Sequence, residues 1–114
     1  MGRRVLVVDD DAVVLEVTAA MLGDLGCEPV TALGGEEALE RLEQDDGIEI
    51  LITDINMPGM DGYELLDRAR AIRGGLKVIM LSGREPARND LPFIRKPFFE
   101  QDLVATMRDT TGTC

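Results

Sequence analysis

Residues 48–62 read Ile48-Glu49-Ile50-Leu51-Ile52-Thr53-Asp54-Ile55-Asn56-Met57-Pro58-Gly59-Met60-Asp61-Gly62. The run from Ile48 to Thr53 is apolar enough for a strand covered on both faces. It stops on a carboxylate, Asp54, and Pro58-Gly59 marks a turn. Asp61 is a good helix N-cap, and Glu64 three residues later completes a capping-box pattern. Leu65, Ala69 and Ile72 give the following helix an inner face. Gly74-Gly75 closes it. Strand, polar strand end, loop and helix make up the unit from which parallel α/β sheets are built.

The same unit recurs on either side. Upstream, Val5-Leu6-Val7-Val8 is a second continuous apolar strand and stops at Asp9-Asp10-Asp11. Asp11 reads as an N-cap. The helix after it places Val14, Val17, Met21 and Leu25 on one face, with Gly23 and Gly26 at its end. Glu28 to Ala32 is a short strand carrying Pro29, which cannot donate to a ladder and so indicates a sheet edge. Glu36 to Leu42 is a helix with Glu37 and Arg41 as an i, i+4 pair. Downstream, Val78-Ile79-Met80-Leu81 is a fourth strand ending at Ser82-Gly83. Phe93-Ile94 is a short fifth strand running into Arg95-Lys96-Pro97. A last helix spans about Phe98 to Arg108, with Leu103 and Met107 facing inward, and 110–114 reads as a frayed tail. These elements predict a five-stranded doubly wound parallel sheet of flavodoxin-like order 2-1-3-4-5, which puts the Pro29 strand at an edge.

Composition narrows the function. The chain has 114 residues, 45% apolar and 30% charged, which suits a single folded domain over 1–114. A net charge of −10, from 12 basic and 22 acidic residues, argues against direct contact with nucleic acid or anionic membranes. Neither a spanning apolar run nor a secretory signal is visible, so a cytoplasmic location is expected. Cys27 and Cys114 lack metal-type spacing and are expected as reduced thiols. The absence of histidine removes most zinc sites and every Ser-His-Asp or Cys-His mechanism.

In a doubly wound sheet, sites form outside the carboxyl ends of the strands. Here those ends deliver Asp9 and Asp10, Asp54, Ser82 and Lys96. Two carboxylates about 4 Å apart repel by roughly 4 kcal/mol at an effective dielectric near 20, so three call for a cation. Oxygen-only ligands suit Mg²⁺, Mn²⁺ or Ca²⁺, and Mg²⁺ best fits a site that also takes phosphate. A lysine and a hydroxyl at the rim can receive phosphoryl oxygens, and an aspartate can act as the nucleophile.

Four segments together resemble response-regulator receiver domains of two-component signalling. They are Val5 to Asp11, Leu51 to Gly62, Leu81-Ser82-Gly83 and Arg95-Lys96-Pro97-Phe98, in the family's order and over nearly the whole chain. The resemblance implies that Asp54 is the phosphorylated aspartate. It implies that Asp10 is a direct Mg²⁺ ligand and that Asp9 supports the metal through water. Asn56 matches the position whose backbone carbonyl ligates the metal. Ser82 matches the hydroxyl that moves to the phosphoryl group, and Lys96 the lysine that pairs with it. Phe93 matches the aromatic whose rotamer reports the switch. The implied partner is a histidine kinase or a histidine phosphotransfer domain, with an unspecified protein as output.

The chain departs from the family in one place. Ser82 and Lys96 are separated by 96 − 82 = 14 positions. A strand end, a full helix and a return strand hardly fit there at about 1.5 Å per helical residue, and Pro86 and Pro92 bracket the interval. The helix before the fifth strand is therefore expected to be missing or reduced, as in the shortened receivers of hybrid histidine kinases and stand-alone proteins. That leaves the first helix, the last helix or the loop itself as the output surface. Two other functions compete. A haloacid-dehalogenase-type phosphohydrolase would want an acid at the position of Asn56. A pseudo-receiver that only binds would not need the intact acids and Lys96.

Overall fold

The structure, a computed structural model, describes residues 2–86, 88 and 90–112. Its element order is β1 (Arg4–Val8), α1 (Ala12–Asp24), β2 (Glu28–Ala32), α2 (Gly35–Gln44), β3 (Ile48–Asp54), α3 (Gly62–Ile72), β4 (Lys77–Ser82), β5 (Phe93–Arg95) and α4 (Glu100–Thr111). The five strands form one parallel sheet ordered β2-β1-β3-β4-β5. Pro29 lies on the β2 edge, paired on one side only, with Val5 of β1.

Strand alternation sorts the apolar residues into two cores. Leu6, Val8, Leu51 and Met80 face α2 and α3, where Leu42, Leu65 and Leu66 meet them. Val5, Val7, Ile50, Ile52, Ile79 and Leu81 face α1 and α4, where Leu15, Leu22, Leu103 and Met107 meet them. Both faces are thus covered, which is why β1, β3 and β4 carry continuous rather than alternating apolar sequence. Leu103 and Met107 face inward as the sequence predicts.

The helix faces are partly corrected. In α1 the buried stripe is Leu15, Thr18 and Leu22, while Val17 is 47% and Val13 69% exposed. Apolar residues surround this helix on all sides, so periodicity alone does not single out a face. The stripe also hides a threonine, whose hydroxyl is satisfied by donating to the Val14 carbonyl at 2.8 Å. In α3 the inner residues are Leu65, Leu66 and Ala69, and Ile72 is exposed.

Caps follow the sequence more closely. Asp11 accepts from the Val13 and Val14 amides and starts α1. Asp61 accepts from the Glu64 amide and starts α3. Glu64 does not return the bond as a capping box would, and pairs instead with Arg68 one turn on. At the start of α4, Phe99 offers no side-chain acceptor, so only the Asp102 carboxylate contributes, accepting from the Phe99 amide.

Between Ser82 and Phe93 no helix is found among the described residues. The connection is fastened to α3 through Tyr63, whose hydroxyl accepts from the Arg88 amide and whose ring lies 5.7 Å from the Arg88 guanidinium. Arg88 also makes a two-pronged pair with Asp90. The last helix continues through residues 110 and 111, which the sequence reading assigns to a frayed tail. Cys27 is buried and disulfide-bonded, against the expectation of reduced thiols. Position along the chain carries none of the distance information that decides whether a cysteine is bridged. Cys114 lies outside the described residues.

Candidate functional site

The carboxyl ends of β1, β3, β4 and β5 converge. Asp9 follows β1 and is 1% exposed, Asp54 ends β3 and is 6% exposed, and Ser82 ends β4 at 1%. Lys96 follows β5, where its amide donates to the Ser82 carbonyl at 2.8 Å and so ties the two strand ends together. The Lys96–Pro97 peptide is cis. The Ile55 amide donates to the Leu81 carbonyl and the Gly62 amide to the Ile55 carbonyl, which draws the β3–α3 loop back over the strand end.

Gly62 makes that return possible. A β-carbon there would sit 2.5 Å from the Asp54 carbonyl oxygen and 2.9 Å from the Ile55 α-carbon, distances at which backbone would have to move. Within the loop, Gly59 has a φ of 77°, a conformation that side-chain-bearing residues rarely adopt.

Three carboxylates meet at the center of this ring. One oxygen each from Asp9, Asp10 and Asp54 lies within 4.8 Å of the others. Asp10 is exposed, so the cluster has a wet side. Both oxygens of the Asp9 carboxylate are engaged: one accepts from the Asp11 amide at 2.9 Å and the other from Lys96 Nζ at 2.6 Å. Lys96 Nζ also stands 3.4 Å from Asp54 Oδ1.

The electrostatics express this crowding. Burial raises the Asp54 pKa above the usual carboxylate value. The positive field of Lys96 opposes the shift, and the charges of Asp9 and Asp10 add to it. Burial works against the charged form of Lys96, yet its hydrogen bond to Asp9 and the fields of Asp54 and Asp9 outweigh that and raise its pKa. One ammonium therefore serves more carboxylates than it can neutralise. The donors are oxygen only, which suits a hard divalent cation such as Mg²⁺.

Each residue expected at the site has a definite place. Asp9, Asp10, Asp54 and Lys96 come together. Ser82 lies beside them, and its Oγ accepts from Asn56 Nδ2 at 3.2 Å and from the Arg84 amide at 3.1 Å. Asn56 is exposed on the loop after Asp54. Phe93 lies apart from the acids, half-buried at the start of β5 against the core on the α2–α3 side. The sequence reading overlooks the Asn56 side chain, since a contact between positions 56 and 82 leaves no local signal.

Sheet order and acidic site together define the class, and comparison with known proteins agrees. The response regulator receiver domain model matches residues 5–108, and the chain belongs to that family. It is 45% identical over 83 residues to two-component response regulator ARR11 of Arabidopsis thaliana, covering 72% of this chain and 16% of that protein. Among solved structures it resembles chemotaxis protein CheY4 of Vibrio cholerae, with a TM-score of 0.88, 26% identity, and 96% and 99% of the two chains covered. It also resembles response regulator TrrA of Thermotoga maritima, solved in complex with Mg²⁺ and BeF. That likeness has a TM-score of 0.84 and 31% identity, and covers 94% of this chain and 97% of that one.

Proposed function

We propose that this domain accepts a phosphoryl group on Asp54 from the phosphohistidine of a separate donor, a histidine kinase or histidine phosphotransfer domain, and changes a protein contact in response. The observation that carries the reading is the meeting of three carboxylates with a single lysine at the strand ends. An Asp54 oxygen attacks phosphorus as the phosphorus–nitrogen bond breaks, and the departing imidazole takes up a proton. The product is an acyl phosphate on a domain that acts as acceptor rather than as a turnover enzyme.

The donor set fits Mg²⁺, with Mn²⁺ as an alternative. Asp10, Asp54 and the Asn56 backbone carbonyl would hold the ion, with Asp9 supporting it through water. Bound there, the ion would neutralise the carboxylates and the phosphoryl oxygens. The chain's own residues do the remainder. Lys96 pairs with a phosphoryl oxygen, and Ser82 donates its hydroxyl to another. Phe93 changes rotamer as the β4 end shifts. The donor approaches beside Lys96, where Val13, Val14, Val17, Met21 and Phe98 line an apolar groove. The output partner is a protein, not nucleic acid or membrane, in keeping with a net charge of −10. No helix among the described residues is long and apolar enough to cross a membrane, and the cytoplasm is where such a donor is met.

The test is incubation with acetyl phosphate and Mg²⁺ followed by intact mass. Gain of one phosphoryl group by the wild type, and none by Asp54→Ala, is expected. An unmodified wild type would sink the reading, and modification that persists in Asp54→Ala would move the site.

A further inference from the structure

The Ser82 hydroxyl is almost wholly buried, and its oxygen accepts two hydrogen bonds, from Asn56 Nδ2 and from the Arg84 amide. A serine hydroxyl has two acceptor lone pairs and one proton. With both lone pairs taken by N–H donors, the proton is the only valence left. No described residue accepts it in a hydrogen bond. Ser82 is therefore set as a donor, ready for an acceptor and unable to receive another bond.

The two donors differ in kind. The Arg84 amide is backbone, supplied by the turn after β4 whatever residue stands there. Asn56 is a side chain on a different loop, two residues past Asp54, and it is exposed where Ser82 is not. It reaches across from the end of β3 to the end of β4. Aspartate at 56 could not donate, and alanine would leave one lone pair of Ser82 open to water.

We propose that the Asn56 side-chain amide is a positioning residue for Ser82: it occupies one lone pair of Oγ, so that the hydroxyl can only donate, and it thereby strengthens the hold on a phosphoryl group at Asp54. This rests on the acceptor reading above and goes beyond the part the Asn56 carbonyl plays there. The amide touches neither the phosphoryl group nor its donor, and acts through Ser82 alone.

A double-mutant cycle on the whole chain tests it. The probe is Mg²⁺ with beryllofluoride, an equilibrium mimic of the phosphoryl group, and binding is followed by ¹⁹F NMR. Asn56→Ala should weaken binding about three- to tenfold, the scale of one net hydrogen bond, and Asn56→Asp at least as much. Ser82→Ala should weaken it similarly, and adding Asn56→Ala to Ser82→Ala should change nothing more. Additive losses would overturn the positioning role, as would a full-strength Asn56→Asp. A loss accounted for by weaker Mg²⁺ binding without beryllofluoride would overturn it too. Failure of the acceptor reading looks different: the wild type would neither bind the mimic nor react with acetyl phosphate, and the positioning role would fall with it. Asn56 lies at the surface, so the single Asn56 variants should melt as the wild type does.

Discussion

Lys96 Nζ stands closer to Asp9, at 2.6 Å, than to Asp54, at 3.4 Å. The lysine is thus anchored by the more buried acid and only leans toward Asp54. Removing it leaves the Asp9 carboxylate buried with the Asp11 amide as its one remaining hydrogen-bond partner among the described residues. Lys96→Ala should cost about 1.5–3 kcal/mol of stability, the range for a hydrogen bond to a charged group, and should slow reaction with acetyl phosphate. Denaturant melts and intact mass check both. Because the folded-state pKa of Lys96 is raised, its contribution is complete below the ordinary value of 10.5 and fades as pH climbs through the raised one.

Asp54 works in the opposite sense. Its folded-state pKa lies above the ordinary 3.8, chiefly through burial. Between those two values the folded chain holds more protons than the unfolded one, so stability falls as pH rises through that window. Asp54→Asn should therefore melt higher than wild type at neutral pH without divalent cation. The gap should close below pH 3.8. Thermal scans across the acid range give the answer, and equal melting at neutral pH would contradict it.

Divalent cation should relieve the same strain. Mg²⁺ at about 100 times its dissociation constant would add roughly 2.7 kcal/mol to folding if it bound only the native state. The melting temperature should rise with Mg²⁺ in wild type and much less in Asp10→Ala. Since Asp10 is exposed, that variant should fold normally without the ion.

Arg73 offers a test remote from the acids. As the cap of α3, its guanidinium donates to the carbonyls of Leu42, Asp45 and Ile48 at 3.0, 3.1 and 3.0 Å. One side chain thus satisfies the end of α2 and the start of β3. Arg73→Ala should lower stability by about 1–3 kcal/mol and leave the rate of phosphoryl acceptance unchanged at temperatures where the fold persists. Urea melts paired with acetyl phosphate kinetics separate the two effects.

Much of this molecule is readable from its residues. Continuous apolar strands ending in Asp9, Asp54 and Ser82 announce a sheet covered on both faces, and the polar strand ends announce the site. Pro29 fixes an edge, and the short spacing from Ser82 to Lys96 foretells a connection without a helix among its described residues. What escapes has a common cause. The buried stripe of α1 runs through Thr18 because that hydroxyl finds a carbonyl within its own helix, so polarity misleads. Glu64 chooses Arg68 over the capping bond because both are within reach and only geometry decides. The bridged state of Cys27 and the bond from Asn56 to Ser82 are tertiary facts with no local pattern.

The sheet's two borders share a further consequence. An open border strand invites another strand to add to it, by way of unpaired amides and carbonyls. At one border Pro29 removes an amide. At the other, β5 is three residues long, carries the exposed Arg95, and lies between Pro92 and Pro97. Strand-on-strand recruitment is thereby discouraged at both ends, for stray copies and for legitimate ligands alike. A protein that binds this domain is thereby steered to side chains on its helices and loops rather than to an added strand.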